Sequence, residues 1–171
     1  MRAIALLVGL GLAFPATGAP KGEPVCGGMA MPPEQLSYVS RGFGHGHTGV
    51  DLMAPYGSPI RAAAGGTVVF AGRYFAYGNI VDIRHADGLI TRSAHMSGFA
   101  PGIAPGEPVA AGTVIGRVGM TGRANAPHVH FEVRIAGHAV DPRPYLAIAP
   151  CPQASPEPLE EARAPEERRD R

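Results

Sequence analysis

The sequence predicts an all-β domain, mostly antiparallel, with function carried on loops and strand ends. Three observations lead there. From about residue 36 to residue 146, short runs of β-forming residues alternate with turn signals. The 24 glycines and 18 prolines punctuate apolar runs and form no repeat. No segment carries a convincing amphipathic helical period. A chain of 171 residues is long enough for one domain with a real core.

The elements follow in order. Residues 67–72, TVVFAG, read as a strand. Residues 78–85, GNIVDIRH, alternate in their middle: Ile80, Asp82 and Arg84 face one way, Val81 and Ile83 the other. Asp87-Gly88 makes a tight turn, and residues 89–95, LITRSAH, return as the antiparallel partner. TVIGRVG (113–119) and HVHFEVRI (128–135) are two further strands.

The ends read differently. Arg2 and the apolar stretch 3–14 resemble an export signal with cleavage after Gly18. That stretch is shorter than the about 20 residues a bilayer-spanning helix needs. Residues 19–36 are a Pro- and Gly-rich arm, 37–151 the domain, and 152–171 a disordered tail of mixed charge. Export to the periplasm or the extracellular space suits the two cysteines. Cys26 and Cys151 bracket the domain and are expected to form a disulfide. In the chain-entropy account so long a loop gains about 4–5 kcal/mol. A net charge of +1 gives no reason to expect nucleic acid or, once the signal is removed, a membrane. A monomer is expected.

Chemistry concentrates in two stretches. RGFGHGHTGVD (41–51) places His47 and Asp51 in an H-x-x-x-D arrangement among four glycines. APHVHFEV carries His128 and His130 as H-x-H. In a strand, residues i and i+2 share a face, so these imidazoles stand side by side on an exposed face, with Val129 and Phe131 turned into the core. Each motif alone is weak. Together with His95 they point to metal. His47, Asp51 and either His128 or His130 make a His2Asp set with an open fourth position, the pattern of catalytic zinc. The residues alone do not decide which of the two histidines binds. Glu132 shares their face and is a candidate base.

HTGVDLMAPYGSPIRAAAGGTV, YGNIVDIRHADGLITRSAHMS, GTVIGRVGMTGRANAPHVHFEV and DPRPYL together closely resemble the lysostaphin-type zinc metallopeptidases, which hydrolyse peptide bonds of bacterial peptidoglycan. The resemblance runs from about residue 40 to residue 146. It implies a compact β-sheet domain with an active-site groove and a Zn2+ cofactor. It also implies His47, Asp51 and His130 as zinc ligands, His95 and His128 as catalytic non-ligand histidines, and a peptidoglycan peptide as substrate. His45 then reads as groove lining or surface, His85 as structural and His138 as a turn residue. Three departures bear on substrate subsites: a trimmed segment before His47, Ser93 where an aromatic is common, and Asn125-Ala126 where Gly-containing pairs are usual. Two alternatives stand beside the enzyme: a non-catalytic wall-binding or amidase-activating relative, and an adhesion domain that binds metal incidentally. The intact ligand set and the absence of heptads favour the enzyme.

Overall fold

A computed structural model describes residues 28–148. The expected signal segment, Cys26, Cys151 and the charged tail lie outside them.

Eleven strands and one short 3-10 turn make up the described residues. They are β1 (Tyr38–Arg41), β2 (Val50–Met53), β3 (Pro59–Arg61), β4 (Gly66–Tyr74), β5 (Gly78–Arg84), β6 (Ile90–Met96), β7 (Gly98–Phe99), β8 (Pro108–Val109), β9 (Val114–Arg117), β10 (His128–Ile135) and β11 (His138–Val140). The turn covers Phe75–Tyr77, between β4 and β5. The main sheet runs β1-β2-β10-β6-β5-β4-β8, with β11 added to the end of β10. A smaller sheet runs β3-β9-β7. Every pairing is antiparallel. The expected fold class stands, and no α-helix occurs among the described residues.

β10 organises the molecule. Its alternation sends Val129, Phe131 and Val133 to one face, where they are buried. Val50 and Leu52 of β2, Val68 of β4, and Val81 and Ile83 of β5 join them. Ile60, Ile115 and Val118, from β3, β9 and the residue after β9, belong to the same cluster, so both sheets share one core. Truncating a buried aromatic such as Phe131 to alanine in this setting costs about 3–5 kcal/mol.

The opposite face of the main sheet is covered too. Ile80 and Asp82 are buried there, although the alternation of β5 invites a solvated reading. The reason is an ion pair across the β5–β6 ladder. Arg92 Nε and Nη2 donate to Asp82 Oδ1 and Oδ2 at 2.9 and 2.7 Å. The same guanidinium lies over the rings of Tyr74 and Tyr77, 5.0 and 4.9 Å from their centroids. A charge removed from water is tolerated here because it is paired twice and stacked.

Residues 29–34 of the arm are strung along the smaller sheet. Met29 N–H donates to Tyr145 O, Ala30 N–H to Ala63 O and Glu34 N–H to Pro59 O. The other end of the domain is thereby joined to its beginning.

Candidate functional site

The 41–51 stretch is a built turn, with little freedom left to it. Gly44 and His47 exchange both backbone hydrogen bonds, at 3.0 and 2.9 Å. His45 and Gly46 close the loop with φ of 50° and 78°. This conformation turns His45 out to solvent and His47 in. The loop runs into β2 through Gly49. A Cβ there would sit 2.3 Å from Phe131 O and 3.0 Å from the His130 ring. Glycine is therefore the residue that lets β2 lie against β10 at the height of the histidines.

That pairing sets His130 opposite Asp51 and His128 opposite Met53. His130 thereby converges on Asp51 and His47, 79 and 83 residues away in sequence. His130 Nδ1 is 2.8 Å from Asp51 Oδ1. His47 Nε2 is 3.0 Å from that oxygen and 3.0 Å from His130 Nδ1. One ligand atom from each of the three residues lies within 4.8 Å of the others.

The outer nitrogens explain why these inner atoms face each other. His47 Nδ1–H donates to Gly42 O at 2.7 Å. His130 Nε2–H donates to Glu132 Oε1 at 3.2 Å. Each ring thus keeps its proton on the outside and turns a lone pair inward. Two imidazole lone pairs and a carboxylate oxygen in mutual contact have no donor among them. A divalent cation resolves that conflict, and two nitrogens with one oxygen match zinc chemistry. Burial alone would raise the Asp51 pKa, but His130 and the other nearby imidazoles hold it below its ordinary value.

His95 and His128 stand beside this group. Their ring centroids are 4.7 Å apart, and His95 is 6.0 Å from His130. His128 Nδ1–H donates to Ala126 O and His95 Nδ1–H to Thr121 O, both at 2.8 Å. Each therefore carries its free nitrogen at Nε2. His128 Nε2 is 3.7 Å from Asp51 Oδ1. His95 reaches the site through a distortion. The β5–β6 register shifts between Asn79 and Val81, so Ala94 and His95 together oppose Ile80. His95 takes φ of 61°, a left-handed conformation that costs energy for a residue with a Cβ. Burial pushes its pKa below the ordinary 6.5, which keeps Nε2 unprotonated near neutral pH.

All five lie on a cleft of about 670 Å³, whose walls include Tyr77, Arg41, Arg123 and Asn125. The H-x-H face is therefore not an exposed strand face as the alternation suggested. His128 and His130 are 7% and 5% exposed, because these walls rise around them.

Glu132 does not fit the role of base. Its side chain is fully buried. It accepts from His130, from Tyr77 Oη at 2.7 Å, from Thr48 Oγ1 and from an Arg134 guanidinium N–H. Burial opposes its charge, but these donors outweigh burial and bring its pKa down to about 2. A carboxylate so saturated cannot take a proton from solvent at neutral pH. Thr48, Tyr77 and Arg134 escaped sequence reasoning. Thr48 adjoins His47, but nothing in FAYGN marks Tyr77 as its partner. Ser93 is buried against Val81 and Phe131 in the ladder, away from the cleft walls, whereas Asn125 lines them.

The remaining histidines fall where expected. His45 is at the surface, and His138 begins β11 after the turn at Ala136-Gly137. His85 is structural, with both nitrogens engaged.

The chain is similar to several known proteins. The chain is 44% identical over 126 residues to the DD-carboxypeptidase/endopeptidase Mpg of Neisseria meningitidis, covering 68% of this chain and 29% of that one. It thus spans under a third of the length of that curated relative. The crystal structure of a zinc-containing peptidase from Vibrio cholerae aligns with a TM-score of 0.61 at 28% identity, over 67% of this chain and 39% of that one. The catalytic domain of the antimicrobial peptidase lysostaphin from Staphylococcus simulans aligns at 0.56 and 30% identity, over 70% and 91%. Residues 45–142, which hold every histidine and carboxylate of the cleft, match Peptidase family M23, and the chain belongs to that family.

Proposed function

We propose that this chain is a zinc-dependent endopeptidase that hydrolyses peptide bonds in the cross-link or stem peptides of bacterial peptidoglycan. His47, Asp51 and His130 hold the ion; His95 moves the proton and His128 orients the water. One observation carries this reading: three inward-facing donor atoms within 4.8 Å, next to two imidazoles that each keep a free Nε2.

Zinc held by the three donors supplies a Lewis acid that polarises a peptide carbonyl and acidifies water. The protein's own groups do the rest. The Nε2 of unprotonated His95 accepts a proton from the attacking water and returns it to the leaving amine, and the free Nε2 of His128 accepts a hydrogen bond from the same water and orients it. Backbone carbonyls of Thr121 and Ala126 lock both rings in the required tautomer. Glu132 orients His130 from behind.

Export fits this function, since the substrate lies outside the cytoplasm. We assign residues 1–18 as the signal and Cys26–Cys151 as a disulfide closing the domain, on sequence grounds. Reductant-dependent intact mass reads the disulfide.

The test is digestion of purified peptidoglycan with mass spectrometry of the soluble fragments. Chelation abolishes fragment release and zinc restores it if the reading holds. Release that persists in chelator contradicts it. Binding to the wall without release at any zinc level favours the non-catalytic alternative.

A further inference from the structure

We infer that Arg41 and Arg123 make this cleft selective for an acidic peptide, one with free carboxylates near the cleaved bond. The inference deepens the proposed peptidase activity and rests on it for where the peptide lies.

The charges around the cleft are one-sided. Arg41 and Arg123 line it, and neither has a carboxylate or hydrogen-bonded side-chain partner among the described residues. Arg61, Arg92, Arg134 and Arg143 each pair with a carboxylate, and Arg117 donates to a carbonyl. Arg73 and Arg84 are also free but lie off the cleft. The one carboxylate on the cleft wall is Asp51, already engaged by the histidines. Glu132 lies behind the wall and is saturated. A cation between His47, Asp51 and His130 adds further positive charge.

The two guanidiniums come from different sides. Arg41 ends β1, outside β2, and its backbone pairs opposite Asp51. Arg123 sits in the loop before β10, whose position is set at the other side: its N–H donates to Ala76 O at 2.7 Å, within the turn between β4 and β5. Gly122 beside it packs so tightly that a Cβ would lie 2.3 Å from that same oxygen. The Arg123 backbone is therefore anchored while its side chain is free. A peptide laid across the metal group passes between two planar donor forks. Such forks match carboxylates in geometry as well as charge.

The test uses soluble cross-linked muropeptides with free carboxylates and the same muropeptides amidated at those carboxylates. The wild type is expected to prefer the free form in kcat/KM. Arg41→Gln and Arg123→Gln are each expected to lower kcat/KM on the free form about fivefold, mainly through KM, as suits solvent-exposed pairs. The loss on the amidated form should be clearly smaller than on the free form. Equal wild-type turnover of both forms, or equal loss on both in the variants, overturns the inference. If the zinc-loaded wild type cuts neither form, the proposed activity fails instead. Fluorescence anisotropy with labelled versions of the two muropeptides then still decides the arginines, since preference for the free form must vanish in the variants.

Discussion

His85 and His95 stand at opposite ends of the same β5–β6 hairpin, and each is 7% exposed. Burial does not distinguish them. Hydrogen bonding does. His85 Nδ1 and Nε2 are both engaged, by Gly65 O and Thr91 Oγ1, each at 2.9 Å. A cavity of about 510 Å³ lies beside it, but no second imidazole or carboxylate lines it. His95 spends only Nδ1 and keeps Nε2 for the cleft, on a backbone bent into a left-handed conformation to do so. The difference teaches that a buried imidazole becomes chemical when one nitrogen is left over and other groups converge on it. An imidazole satisfied at both nitrogens is a structural cross-link.

The sharpest way to break this comparison is to exchange the two sites' losses. His95→Ala is expected to lower kcat/KM by about 10²–10⁴-fold with the melting temperature held, as for loss of a proton-transfer group. An effect under tenfold would return His95 to the structural class. Next, Gly49→Ala forces β2 from β10, because its Cβ would lie 2.3 Å from Phe131 O. It is expected to cost about 3 kcal/mol and to weaken zinc binding in parallel, read by thermal denaturation and metal analysis. Glu132→Gln keeps the shape but loses the charge behind His130. Zinc affinity is expected to fall about 10-fold to 100-fold, measured by chelator competition. His85→Gln is the counterpart. It is expected to cost about 1–3 kcal/mol of stability while kcat/KM stays within about twofold.

The smallest effect is in pH. The folded pKa of His95 lies below its ordinary 6.5, so Nε2 reaches half-protonation only at a pH beneath that value. Activity is therefore retained above the folded pKa and lost below it. The acid limb of kcat/KM should have its midpoint under 6.5. A midpoint above it would mean that a different group takes the proton.

Legibility from sequence tracked the range of the contacts. β10 was readable to the residue, because its apolar alternation is local and unbroken over 128–135. His128 with His130 was readable for the same reason, since residues i and i+2 share a strand face, while His47 with Asp51 was readable only as an H-x-x-x-D motif. The proposed choice of His130 over His128 was not, because it depends on the antiparallel register that sets His130 against Asp51. The smaller sheet was mostly unread, since β3 and β7, at three and two residues, are too short to show a period. The bulge at His95 and the Thr48–Tyr77–Glu132 cluster follow from long-range pairing, with Thr48 and Glu132 separated by 84 residues. The face bearing His128 and His130 looked solvated in the sequence because nothing local announces the walls built by the 41–48 and 119–127 segments.

The central claim is that three side chains hold the ion and two others act on the substrate beside it. Zinc content of purified single variants tests it most directly. Asp51→Asn, His47→Ala and His130→Ala should each lose bound zinc and activity together, while His128→Ala and His95→Ala keep zinc and lose activity. Zinc retained by His130→Ala and lost by His128→Ala would contradict the account.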